Sequence, residues 1–238
     1  MVFELTETER SEAPQAAGRS SATAWQLDLI GVNAFLVADG TVTLVDTGTP
    51  WGVSRLVREI ERTGHAVSDI DRVLLTHYDI DHVGGLGGLD LDVPVYLGMP
   101  DRGFLTGRER PSLSTPKGVL HRVVGPFLRD RDRVIETVED GDEIGSFTAY
   151  HTPGHTPGHM AYLSESLSIG FLGDLVIERK GELVPSPWYL SYDADQVADS
   201  IHDLADRQPP VETIGVGHGV PFLKNGSVRL AELGRSIA

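Results

Sequence analysis

The sequence predicts an α/β protein in which two β-sheets pack together with helices outside, and three observations lead there. Short apolar runs of strand character recur along the chain, several ending in Asp, Gly or His. Helical periodicity follows such runs and does not pervade the chain. The two halves repeat one order, strands first and then helix, which favours two sheets sharing a core.

Taken in order, the first 24 residues are expected as a loosely ordered arm, since residues 7–24 are rich in Glu, Ser, Ala and Thr without a clean period. Ala34-Phe35-Leu36-Val37 and Val42-Thr43-Leu44-Val45 flank Asp39-Gly40, a pair suited to the positive φ of a hairpin turn. Val53, Leu56, Val57 and Ile60 fall at helical spacing, with Gly64 where a left-handed cap would sit. Strands are expected over 72–75 and 93–97. Residues 100–135 mix Gly, Pro and Arg around one amphipathic stretch, 119–128, a candidate lid. Further strands are expected over 147–151, 160–163 and 167–172. Asp193 with Gln196 resembles a capping box, and the helix that follows stops at Pro209-Pro210. A strand over 213–216 and a helix over 228–237 close the chain. No stretch has linker composition, so a single domain over 1–238 is expected.

Composition narrows the class. The 238 residues are 40% hydrophobic and 23% charged, as in globular proteins. With no cysteine, a disulfide framework, thiolate metal site or cysteine nucleophile is excluded. No apolar run approaches the roughly 20 residues a membrane helix needs. The first ten residues lack the basic-then-apolar order of a signal peptide, so a cytoplasmic location is expected. The formal net charge of −15, with lysine only at Lys117, Lys180 and Lys224, suggests adaptation to a salty, halophilic cytoplasm. Such a surface repels polyanions, so nucleic acid is not an expected partner and a small molecule is.

The chemistry concentrates in Thr76-His77-Tyr78-Asp79-Ile80-Asp81-His82-Val83-Gly84-Gly85, directly after the apolar Val73-Leu74-Leu75. Two imidazoles and two carboxylates at the end of a buried strand make a poor core and a good metal clamp. Three other segments end strands similarly: His151-Thr152-Pro153-Gly154-His155-Thr156-Pro157-Gly158-His159, Gly173-Asp174 and Gly217-His218-Gly219. Each alone is compatible with turn chemistry. Four in succession are not explained by turns.

With Asp46-Thr47-Gly48 after the first hairpin, these segments resemble the metallo-β-lactamase superfamily in order and context, from Val32 to Pro221. One position departs: Asp79 stands where the His-x-His-x-Asp-His signature has its second histidine. The resemblance implies a four-layer αβ/βα sandwich, two mixed sheets flanked by helices, with a two-metal site at one edge. It implies His77, Asp79 and His155 for one metal, Asp81, His82 and His218 for the second, and Asp174 bridging them. Asp46 and His159 would support these residues from behind, and His151 matches no ligand position.

The donor set suits two divalent ions, Zn or Fe with Mn possible, and the extra carboxylate favours the harder metals. Asp79 could also weaken the first position so that one ion remains. The expected activity is that of a metallo-hydrolase, in which a metal-bound hydroxide cleaves a small ester, thioester or lactone and Asp81 acts as the proton carrier. Cysteine-ligated lactamases are excluded. About twenty residues follow His218, which argues against glutathione thioesterases and nucleic-acid-cleaving relatives. The alternatives are a non-haem diiron redox protein or iron-dependent dioxygenase, suggested by Asp79, a phosphodiesterase or nuclease, and a non-catalytic binding protein. Trp188, Tyr189 and Tyr192 are candidate pocket residues or core aromatics.

Overall fold

A computed structural model describes residues 2–5, 22–128, 130 and 133–237. The first sheet runs in sequence order through β1 (Val2–Glu4), β2 (Thr23–Asp28), β3 (Asn33–Ala38), β4 (Val42–Val45), β5 (Arg72–Leu74), β6 (Val95–Gly98) and β7 (Ile135–Val138). Its first four strands pair antiparallel and the rest parallel. The antiparallel part needs only tight turns, and Gly40 at φ +105° makes the expected hairpin. The parallel part needs crossovers. Helix α1 (Val53–Arg62) lies between β4 and β5, while α2 (Asp101–Thr106) and α3 (Pro116–Leu128) lie between β6 and β7.

The second sheet contains β8 (Glu143–Ile144), β9 (Phe147–His151), β10 (Met160–Ser164), β11 (Ile169–Phe171) and a later strand. A separate ribbon of β12 (Val176–Arg179) and β13 (Glu182–Pro185) follows, then α4 (Ala194–Arg207), β14 (Thr213–Gly215) and α5 (Gly226–Ser236). The spatial order is β14-β11-β10-β9-β8, with only the β11–β14 pair parallel. Both sheets are therefore mixed.

Alternation along the strands separates three apolar layers. In β3, Phe35 and Val37 face the second sheet, where they join Phe147, Met160, Tyr162 and Phe171. Ala34 and Leu36 point the other way, into a layer with Leu56 and Ile60 of α1 and Phe104 and Leu105 of α2. On the far side, Ala161 and Leu163 of β10 meet Val197, Ile201 and Leu204 of α4 and Leu230 of α5. Strands buried on both faces read as continuous apolar runs, and period-two geometry sorts them between layers.

The structure departs from the sequence expectations in places. Of the expected loose arm, Val2–Glu4 is a strand paired with β2, which itself begins at Thr23; residues 6–21 lie outside the described residues. Helix α3 starts at Pro116, three residues before the expected amphipathic stretch. Proline suits a first helical position because its missing N–H would have no intrahelical partner there. Strands β2, β7, β8, β12 and β13 and helix α2 were not anticipated. Their residues alternate weakly or are too few to show a period. Asp193 caps α4 through its carboxylate, which accepts from the backbone N–H groups of Asp195 and Gln196 at 3.0 Å.

Candidate metal centre

Every segment singled out by the sequence emerges from a strand end on one rim of the two sheets. Asp46 follows β4, His77 to His82 follow β5, His155 lies between β9 and β10, Asp174 follows β11 and His218 follows β14. Sites beyond the carboxyl ends of parallel neighbours are usual in α/β proteins, because the loops there converge while the sheet holds them rigidly.

The side chains form two adjoining groups. Ligand-capable atoms of His77, Asp79, His155 and Asp174 lie within 4.8 Å of one another, as do those of Asp81, His82 and His218. Asp174 reaches into both, with Oδ1 3.4 Å from His82 Nε2, and Oδ2 3.2 Å from His218 Nε2 and 3.5 Å from His155 Nε2. Asp81 Oδ2 is 3.4 Å from His218 Nε2. His151 stays outside, its ring bonded to the Pro157 carbonyl.

Behind these groups sits a polar frame. Asp46 adopts φ +59°, a left-handed conformation that costs a non-glycine residue about 1–3 kcal/mol. That turn lets its carboxylate accept from Thr76 N and Thr76 Oγ1 and meet His82 Nδ1 at 2.8 Å. Holding Nδ1 leaves Nε2 of His82 aimed at Asp174 Oδ1. His159 is fully buried; its Nε2 accepts from the backbone N–H of Asp174 at 3.1 Å, and Nδ1 pairs with Thr152 Oγ1. Burial and then the neighbouring His155 push its pKa well below the usual range, which keeps that nitrogen an acceptor. Gly217 leaves the space a ligand set needs, since a Cβ there would lie 2.1 Å from Asp174 Oδ1 and 2.7 Å from His82 Cε1.

Electrostatics differ sharply between adjacent groups. Burial, and then His82, drive the pKa of His77 well down. Burial also opposes a charge on His82, but Asp174 and Asp46 outweigh it and hold its pKa well above normal. For His218 the same contest ends at about 8, with Asp174 prevailing over desolvation. Burial works to raise Asp174, yet His82 and His218 hold its carboxyl well below the usual range.

Several residues of the site were invisible in the sequence. Lys117, 6% exposed in the first turn of α3, puts Nζ 2.8 Å from Asp79 Oδ2 and 2.6 Å from His155 Nε2. One turn later His121 Nε2 meets Asp79 Oδ1 at 2.5 Å, and its Nδ1 meets the hydroxyl of Tyr192 at 3.0 Å. The i,i+4 spacing of Lys117 and His121 places both on one helix face. Burial tends to raise Asp79, but Lys117 and His77, then the bonds to His121 and His155, hold it well below normal. Ser186 Oγ lies 2.7 Å from His155 Nδ1. Asp101, fully buried, ties the two ligand loops together by accepting from Tyr78 N, Thr156 Oγ1 and Gly158 N. The one signal available for the lysine was a cation just ahead of an apolar helical stretch in a chain with three lysines.

The residues fit a metal in a way a purely structural cluster would not. Among the described residues, His77 Nε2, His82 Nε2 and Asp174 Oδ1 are buried side-chain atoms that make no hydrogen bond; His77 Nε2 lies 3.3 Å from Asp79 Oδ2 and His82 Nε2 3.4 Å from Asp174 Oδ1. Buried polar atoms left unpaired are costly, and a cation is the partner that two imidazole nitrogens and a carboxylate oxygen share. The mouth opens onto a cavity of about 340 Å³ lined by Ile80, Leu120, Val124, Tyr189 and Leu190 beside the polar groups.

Comparison with known proteins agrees with this geometry. The family described as the metallo-beta-lactamase superfamily matches residues 27–218. "Probable metallo-hydrolase YflN" of Bacillus subtilis is 28% identical over 218 residues, 82% of each chain. "Thioesterase pkgB" of Emericella nidulans is 33% identical over 158 residues, which are 63% of this chain and 37% of that one. The structure of TTHA1623 in a di-iron-bound form superposes with a TM-score of 0.60 at 26% identity, covering 81% of this chain and 90% of the other. The α/β sandwich, the rim of His and Asp residues and the matched span agree, and the chain belongs to the metallo-beta-lactamase superfamily.

Proposed function

We propose that this protein is a metal-dependent hydrolase of small esters, thioesters or lactones. The observation that carries the reading is the buried pair His82 Nε2 and Asp174 Oδ1, neither in a hydrogen bond, beside an open cavity lined by Asp81, Asp174 and His218. His82, His218, Asp81 and Asp174 would hold a divalent ion, Zn²⁺, Fe²⁺ or Mn²⁺ by their nitrogen and oxygen chemistry. Such an ion supplies a water of lowered pKa and positive charge for a developing oxyanion.

The chain's own groups would do the rest. Asp46 and His159 fix the orientations of His82 and Asp174. Asp81, part-exposed at the mouth, is placed to carry the proton from the attacking water to the leaving oxygen or sulfur. The acyl carbon gains the hydroxyl as its bond to the leaving group breaks. The apolar wall of Leu120, Val124, Tyr189 and Leu190 suits an acyl body better than a phosphodiester backbone. The thioesterase name of a relative supports the thioester option.

A panel of chromogenic esters, thioesters, lactones and phosphodiesters, assayed with metal-replete protein, tests this. Carboxylic ester or thioester cleavage that is lost on chelation and restored by metal is expected. Turnover of phosphodiesters alone would refute the substrate class. Iron redox chemistry on this fold is the second reading, suggested by Asp79 and by the di-iron-bound relative. Both oxygens of Asp79 are already bonded to Lys117 and His121, which weighs against it. Oxygen consumption by iron-loaded protein would favour it.

A further inference from the structure

We infer that Lys117 takes the place of one of the two cations, so that the centre binds a single divalent ion at Asp81, His82, His218 and Asp174. This rests on reading the site as a metal centre and specifies its stoichiometry.

Three features point this way. First, Lys117 Nζ does not lie beside the His77–Asp79–His155–Asp174 group; it is bonded inside it. It takes the Oδ2 atom of Asp79 and the Nε2 atom of His155, the atoms an ion would need. His155 Nδ1 meets Ser186 Oγ, and the ring's other nitrogen, Nε2, already faces Lys117 Nζ and Asp79 Oδ2. A divalent ion within hydrogen-bonding distance of an ammonium in a buried site is strongly repelled.

Second, the amine is held there. Helix α3 is packed so closely on the ligand loop that a Cβ on Gly125 would meet the Tyr78 hydroxyl at 3.0 Å. His121, one turn on, bonds the other oxygen of Asp79 and is itself held by Tyr192. Asp79 and Lys117 complement each other. The signature position carries an anion in place of a neutral imidazole, and α3 supplies a cation against it. Lys180 and Lys224, the other lysines of the chain, are exposed.

Third, the neighbouring group has no such occupant. Among the described residues no lysine or arginine bridges Asp81, His82 or His218, and His82 Nε2 and Asp174 Oδ1, 3.4 Å apart, make no hydrogen bond. His77 keeps one unpaired nitrogen, 3.3 Å from Asp79 Oδ2, which marks the space that removal of the lysine would open.

The test is metal stoichiometry. The full chain is stripped with chelator, repleted separately with Zn²⁺, Mn²⁺ or anaerobic Fe²⁺, and metal per chain is measured by mass spectrometry and calorimetric titration. The expected result is one ion per wild-type chain and two in Lys117→Ala and in Asp79→His/Lys117→Ala, with circular dichroism confirming the fold. Two ions in the wild type would overturn the inference and leave the hydrolase reading intact. No ion would overturn both. One ion in both folded variants would overturn the role given to Lys117. Should the variants not fold, anomalous diffraction from the metal-soaked wild type decides. Density at Asp81, His82 and His218 alone supports the inference, and density also between His77 and His155 overturns it.

Discussion

Asp79 and Asp81 are the same residue two positions apart on one loop, and they serve different ends. Asp79 is largely enclosed, with Oδ1 on His121 and Oδ2 between Lys117 and His155. Asp81 stands at the cavity mouth, 3.4 Å from His218, with its oxygens bound to no lysine or arginine among the described residues. The difference originates in α3, which descends on the first and leaves the second open. The two carboxylates differ in exposure and in partners according to what the rest of the fold brings against them.

The comparison can be broken first on the open side. His82→Ala removes a candidate ligand whose Nδ1 is held by Asp46, and turnover should fall by at least about 1,000-fold, or about 4 kcal/mol of barrier. Asp81→Ala should abolish turnover as well, with the fold intact by circular dichroism; normal rates in either variant would remove Asp81 and His82 from the chemistry. Next in size is the bond between the loops. Asp101→Ala leaves three donors unpaired, each worth about 1–3 kcal/mol when buried, so stability to urea should fall by about 3 kcal/mol or more. A midpoint unchanged in urea would show that the loops hold without it.

Smaller effects sharpen the contrast. Asp46→Asn keeps the volume but weakens the grip on His82, and metal affinity should drop about 10–100-fold. Unchanged metal affinity would show that the Asp46 contact does not position His82. Smallest is a control far from both carboxylates. The Arg207 guanidinium holds the Asp140 carboxyl below its usual range, so the pair stabilises the fold above the unfolded carboxylate pKa of about 4 and its contribution is lost as acid protonates Asp140. Being exposed, the pair should cost well under about 1 kcal/mol on Arg207→Ala, with the difference from wild type vanishing in acid.

The open side of the site was legible in the sequence because its residues sit in strand-end loops with local codes. Gly217-His218-Gly219 and the run from His77 to His82 announce themselves within a few residues. The enclosed side depends on a contact across 38 residues, between Asp79 and a lysine in a segment without a readable period. Asp101 was hidden likewise, since its three donors come from two distant loops. The sheets followed the same division. Strands buried on both faces were read correctly, whereas the ribbon β12–β13 and the short β7 and β8 carry little alternation to read.

Helix α3 joins two tasks that are usually separable. Leu120 and Val124 wall the cavity while Lys117 and His121 grip Asp79 from the same rod of backbone. A bulky guest that pushes the wall outward must therefore drag charge away from the floor. Selection for larger cargo at this wall would carry with it a change in what the floor can hold.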